Sequence, residues 1–239
     1  MTTSPPQNVT GLVRREELEP QQRDEMFALL SSHFESVTRD QFEHDLAEKN
    51  WVVEIRRNGT LSGFSTLLAT PMQFDGRWLT AIYSGDTIVA PDAWGSPNLA
   101  RTWIAAVNQL RAAFPGQPCY WLLLTSGFRT YRFLPLFWRE FFPRHDGPTP
   151  PEKRLLLNYL AEARYGDLFD PIEGIVRFVR PQRLRGPLRE IPSGRESDPN
   201  VAFFLDRNPG HVKGDELVCL TEISETNLTP AGWRMVASR

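Results

Sequence analysis

From Arg77 to Phe114 the chain reads as a long buried strand, a tight loop of small residues and a helix. Trp78, Leu79, Thr80, Ala81, Ile82 and Tyr83, then Thr87, Ile88 and Val89, make a β-branched and aromatic run whose one interior charge is Asp86. Pro91 and the Gly95-Ser96-Pro97 cluster stop it. Asn98 is placed to cap the next helix, since its short side chain accepts a backbone N–H that a first turn leaves unpaired. Leu99, Trp103, Ala106, Val107 and Leu110 then recur at steps of three and four, giving one apolar face. A strand ending in a tight loop at a helix N-terminus directs N–H groups at open space, a setting that suits a phosphate. An ordinary strand-to-helix connection has the same pattern.

The connections on either side limit the topology further. Trp51 to Ile55 predicts a short strand, Asn58-Gly59 a hairpin turn and Leu61 to Thr70 the partner strand. A second turn at Asp75-Gly76 leads into the long strand. Turns this short force antiparallel pairing. After the helix from Asn98, Tyr120 to Thr125 is free to lie parallel to the long strand in a right-handed crossover. The fold class is therefore α/β, with an antiparallel meander that changes to one parallel pair. Upstream, residues 1–10 read as a disordered tail and Leu12-Val13 as a short first strand. A helix from Pro20 carries Met26, Phe27, Leu29, Leu30, His33 and Phe34 on one side. Thr38, with Gln41 three residues on, opens a second helix through Phe42 and Leu46.

Downstream, Thr130 to Phe142 predicts a helix that kinks at Pro135 or starts after it, with Phe133, Leu134, Phe137, Trp138, Phe141 and Phe142 as mostly core. The proline-dense stretch after Pro143 divides a core of residues 11–147 from a C-terminal extension, 148–239, packed on it. In that extension Leu155–Arg164 reads as a helix and Gly174–Val179 as a strand. Residues 180–200 read as a basic surface excursion. Val201–Leu205 and Glu216–Ile223 read as strands flanking the turn RNPGHVKGD.

Lys+Arg total 27 against Asp+Glu 29, a net charge of −2, so no general attraction draws the chain to nucleic acid or an anionic membrane. No apolar run reaches about 18 residues and the first ten residues lack a signal-like apolar region, which places the expectation in the cytoplasm. Cys119 and Cys219 read as buried thiols. His33, His44, His145 and His211 show no metal-ligand spacing, so no metal is expected. No Gly-x-Ser-x-Gly elbow is present.

Two helices, a three-strand meander, a loop into a helix, a parallel strand and another helix: over residues 11–145 this order resembles the GCN5-related N-acetyltransferase (GNAT) family. The resemblance implies a loop, Arg/Gln-x-x-Gly-x-Gly/Ala, whose amides hold the pyrophosphate of acetyl-CoA. It also implies a pantetheine arm lying in a V-shaped gap between the parallel strands. Here Ile88, Val89, Gly95, Ser96 and Asn98 fall on the cofactor-binding positions, while Trp94 stands at the usual basic position and Pro97, which has no N–H, at a glycine position. The family's last helix often supplies a Tyr as general acid. Aligning that signature with Phe137–Phe142 puts phenylalanine in the Tyr place, and Tyr131 takes the role only if the helix is set differently.

The chemistry of acyl transfer needs an amine made neutral, a thioester carbonyl held by N–H groups and a departing thiolate. Asp86 is the candidate base, because a carboxylate on an apolar central strand is costly unless hydrogen-bonded or working. Gly85 beside it marks a bulge or a close backbone approach. Strict alternation puts Ser84 and Asp86 on one face, and Tyr83 and Thr87 on the other. Tyr83 and Tyr131 complete the candidate catalytic set. The resulting expectation is an N-acyltransferase using acyl-CoA, acetyl-CoA or an acyl-carrier-protein thioester on a small-molecule amine, with a homodimer left open. A second reading, favoured by Trp94 and Pro97, is a GNAT-like scaffold that binds a small molecule or partner without catalysis.

Overall fold

The computed structural model describes residues 11–93, 98–186, 191, 194–195 and 197–237. The expected tail of residues 1–10 and the loop residues Trp94, Gly95, Ser96 and Pro97 lie outside them. Strand β1 (Leu12–Arg14) precedes helix α1 (Pro20–His33), the two-residue strand β2 (Phe34–Glu35) and helix α2 (Arg39–Ala47). Thr38 caps α2 as the sequence predicts, its hydroxyl accepting from Gln41 N at 3.2 Å.

The meander follows as β3 (Trp51–Arg57), β4 (Thr60–Phe74) and β5 (Arg77–Val89), antiparallel throughout. Its turns place Asn58 and Asp75 at φ 51° and 48°, with Gly59 and Gly76 at 82° and 72°. Two successive positive φ values give a turn whose twist matches that of the strands it joins. Helix α3 (Asn98–Ala112) crosses over to β6 (Cys119–Thr125), which pairs parallel to β5 from Thr80↔Cys119 to Ser84↔Leu123. Asn98 is the first helical residue, so it sits inside the first turn and not at the cap before it.

After β6 the structure departs from the sequence reading. The single helix expected over 130–142 is two short ones, α4 (Phe128–Tyr131) and α5 (Phe133–Phe137), followed by the strand β7 (Phe141–Phe142). Pro135 lies in the first turn of α5, where its missing N–H leaves nothing unpaired. Helix α6 (Pro151–Tyr165) is followed by three strands of two residues each: β8 (Phe169–Asp170), β9 (Ile175–Val176) and β10 (Arg183–Leu184). The strand read over Val201–Leu205 is a helix, α7 (Pro199–Arg207). Asp198 accepts from Asn200 N, Pro199 sits at the first position, and Val201 and Phe204 lie one turn apart on the buried side. The chain continues through β11 (Glu216–Glu222) to α8 (Pro230–Ala237).

Among the described residues nine strands form one sheet, ordered β1-β3-β4-β5-β6-β11-β9-β8, with β7 also on β11. Strand β11 pairs antiparallel along β6 from Leu217↔Thr125 to Glu222↔Tyr120, so the later part of the chain extends the same sheet. One face packs under α3, α5, α7 and α8 through Trp103, Val107, Phe137, Val201 and Leu228. The other face carries α1 and α2 over Val52, Phe64 and Ile88 at one end, and α6 over Tyr120, Leu122 and Val218 at the other. Between those two packed groups the face is left open at the C-terminal half of β5. Cys119 and Cys219 are buried, unbridged thiols.

Candidate functional site

The central parallel pair comes apart where the sequence placed Asp86. Pairing with β6 ends at Ser84↔Leu123, while β5 continues to Val89 and β6 to Thr125. Beyond Ser84 the edge of β5 facing β6 therefore carries backbone groups that no strand takes up. On its other edge β5 bulges: Leu67↔Ser84 is followed by Ser65↔Thr87, two steps on β4 against three on β5. Gly85 makes this possible, because a Cβ there would lie 2.6 Å from Thr66 Oγ1 and 2.9 Å from Lys49 Cε.

The bulge corrects the alternation read from the sequence. Ser84 accepts from Trp121 Nε1 at 2.9 Å, and Thr87 Oγ1 lies 2.8 Å from Ser65 Oγ, which accepts from Trp103 Nε1 at 3.2 Å. Ser84 and Thr87 thus share the tryptophan face, and the inserted residue turns Asp86 to the face of Tyr83. Strict alternation fails because the bulge adds one residue to the count.

On the Tyr83 face lies a cavity of about 570 Å3, walled by α2, the end of β5, α6 and the start of β11. Its floor holds Tyr83, Asp86 and Glu216, with Lys49 and Arg164 above. Asp86 and Glu216 are half-buried. Burial raises the Asp86 carboxyl to about 6, against the pull of Lys49. Burial, and then the charge of Asp86, raise Glu216 to about 7. Burial lowers the Lys49 ammonium in turn, with Asp86 opposing. Lys49 donates to Asp45 O at 2.8 Å and stands 5.4 Å from the Tyr83 ring centre. The Arg164 guanidinium lies 5.2 Å from the same ring centre and pairs with Glu48, tying α6 to the end of α2. Tyr165 meets Tyr83 edge to face at 5.9 Å, and burial holds both phenols above their usual range.

On the other face a cavity of about 220 Å3 is lined by Val89, Leu99, Trp103, Trp121, Phe128 and Phe133, among others. Trp103 and Trp121 stack with ring centres 4.2 Å apart, and Trp138 lies 5.2 Å from Trp121. Thr87, Ser126, Gly127 and Leu184 line both cavities, which therefore meet at the gap between β5 and β6. Leu184 arrives on β10, which pairs with β2 as Arg183↔Glu35 and Leu184↔Phe34 and so crosses the mouth of the gap. Part of the segment read as a surface excursion is thus a wall of the site.

The structure brings Asp86 and Tyr83 together. Tyr131 is elsewhere: it is fully buried, donates to Pro143 O at 3.0 Å and packs against Phe141, Phe203 and Phe204. Val89 lines the smaller cavity, and its carbonyl lies 3.0 Å from His33 Nε2. That contact, with Nδ1 2.9 Å from Ser32 Oγ, which can donate to it, leaves both ring nitrogens of His33 satisfied, in a buried residue at the edge of the smaller cavity. Ile88 packs into the α1–α2 cluster and also lines the smaller cavity, and Asn98 is exposed at the start of α3. Gly95 and Ser96 fall outside the described residues. The sequence pattern does not single out Lys49, Arg164, Tyr165 or Glu216 as site residues. Only Glu216 had a signal, a carboxylate opening the apolar strand Leu217–Leu220. Among the described residues no group of three or more His, Cys, Asp or Glu is placed to hold a metal ion, and no helix is long and apolar enough to cross a membrane.

No protein-family model matches the sequence, and no curated protein does. Solved structures do align with it. A GCN5-related N-acetyltransferase from Kribbella flavida shares 14% identity over 51% of this chain and 31% of its own, with a TM-score of 0.39. A conserved protein from Enterococcus faecalis matches at 16% identity and the same TM-score, 0.39, over 51% of this chain and 30% of its own. The chain thus spans about a third of the length of these two. The GNAT family N-acetyltransferase YhbS from Escherichia coli, solved with CoA, shares 20% identity over 56% of this chain and 71% of its own, at a TM-score of 0.37.

Proposed function

We propose that the protein transfers an acyl group from a CoA thioester to the nitrogen of a small-molecule amine. One observation carries the reading: two cavities meet at a splayed parallel pair, and a carboxylate with a raised pKa stands on the bulge beside the opening. A thioester arm reaching the gap from the α3 side has its carbonyl beside the stretch of β5 that β6 has left, where backbone N–H donors stabilise developing negative charge. An amine in the larger cavity reaches the same carbonyl from the Asp86 side. Asp86, with a pKa near 6, is suited to take the ammonium proton near neutral pH. The nitrogen then attacks the carbonyl carbon, the C–S bond breaks, and the departing thiolate takes the proton that the nitrogen gives up as the amide forms, leaving as CoA thiol.

The test begins with mass spectrometry of the gently purified protein mixed with acetyl-CoA or a long-chain acyl-CoA, followed by thiol release in the presence of a panel of primary amines. A thioester complex is expected. The Asp86→Asn variant, folded, is expected to lose about a hundredfold in kcat. A folded wild-type protein that holds no thioester refutes the assignment.

A further inference from the structure

We propose that Glu216 receives the cationic head of the acceptor, a primary alkyl- or arylalkylammonium whose body lies against Tyr83 and Tyr165 in the larger cavity. The assignment of an acceptor rests on the acyl-transfer reading; the cation site itself does not. The argument starts from what the other charges of the cavity already have. Arg164 pairs with Glu48, which His44 approaches at 4.0 Å. Lys49 is anchored on the Asp45 carbonyl and faces Asp86. Asp45 belongs to the same α2 edge, and Arg180 lines the cavity from the segment before β10.

Glu216 differs from all of these. It opens β11 at the cavity floor, and the charge that acts on it is the like charge of Asp86; no cation among the described residues offsets its burial. Two half-buried carboxyl groups that repel each other form a site for a positive group, and burial makes a cation there worth more than at an open surface.

A second observation is independent of the acidic pair. Tyr165 is 9% exposed, and its hydroxyl has only that of Tyr83 beside it; neither phenol has another hydrogen-bond partner among the described residues. Two phenols with only each other keep lone pairs and one O–H proton open to a ligand in the cavity they line. The Tyr83 ring, with Tyr165 edge-on and Leu168 and Phe178 behind, gives an ammonium an aromatic surface and an apolar wall for its chain. Because both acids hold their protons tightly, ammonium binding displaces protons and strengthens as pH rises from about 6 to about 8.

The experiment uses the full chain without any thioester, so its outcome is separate from that of acyl transfer. Phenethylammonium and n-butylammonium are titrated by calorimetry in two buffers of different ionisation enthalpy, with phenethyl alcohol as the neutral comparator. The expected result is binding of the ammonium ions with proton release, weaker binding of the alcohol, and affinity that climbs with pH. Glu216→Gln, checked for folding by circular dichroism, is expected to lose about tenfold in affinity and most of the pH dependence, the scale of one charge-assisted hydrogen bond. Equal binding of alcohol and ammonium, unchanged binding in Glu216→Gln, or no binding of either ammonium overturns the proposal.

Discussion

The two raised carboxyl groups predict an unusual pH dependence of stability. In an unfolded chain Glu216 ionises near 4.5 and Asp86 near 3.8; in the folded protein they ionise at about 7 and about 6. Between those limits the folded state binds more protons than the unfolded one, so unfolding free energy falls as pH rises and levels off above about 7. Each pKa unit corresponds to about 1.4 kcal/mol, which sets a ceiling of roughly 3 kcal/mol for Glu216. Cavity water screens a half-buried group, and roughly 1–2 kcal/mol is the expected size. Glu216→Gln removes this contribution and relieves Asp86 of its neighbour. The variant should match wild type near pH 4.5, where native Glu216 is protonated, and exceed it at pH 8 by that roughly 1–2 kcal/mol. Urea unfolding across the pH range measures the difference, and subtracting the two curves cancels every group they share. The carboxylates held below their usual range, among them Glu48, Asp170 and Asp198, act in the opposite sense and at lower pH. A variant less stable than wild type at pH 8, or parallel curves from pH 4.5 to 8, would refute the reasoning.

Two substitutions test the frame around the site. Gly85→Ala puts a Cβ against Thr66 Oγ1 at 2.6 Å and Lys49 Cε at 2.9 Å, so a loss of about 1–3 kcal/mol in urea unfolding is expected. It should also displace Lys49 from Asp86 and shift the pH dependence of any turnover; an unperturbed, fully stable variant would show that the bulge does not need glycine. Trp121→Ala opens a hole between Trp103 and Trp138 and leaves Ser84 without its indole donor, for an expected loss of about 3–5 kcal/mol. A change below about 1 kcal/mol would mean that the cluster collapses to fill the space.

Local chemistry made the first half of the chain legible. Asn58-Gly59 and Asp75-Gly76 permit only tight turns, tight turns permit only antiparallel neighbours, and the helix from Asn98 is long enough to bring β6 back in parallel. Asp86 was visible because an apolar strand advertises its one charge. Beyond β6 the reading weakened where short elements draw their stability from partners remote in sequence: β10 exists because Phe34 and Glu35 offer it an edge, and β7 because β11 does. Val201–Leu205 misled because a short apolar run fits a strand as well as a helix, and Asp198-Pro199 was the cap that decided it.

The site divides in the same way. The residues alone determined the strand, its carboxylate, the neighbouring glycine and the order of elements that resembles an acyltransferase core. Only the tertiary structure decided which way Asp86 faces, since a bulge is a relation between two strands and appears in neither one. It also decided that Glu216, 130 positions further on, stands near Asp86 at the same cavity floor, and that Tyr131 does not. Side-chain periodicity is a property of one segment, whereas a cavity is made where segments meet.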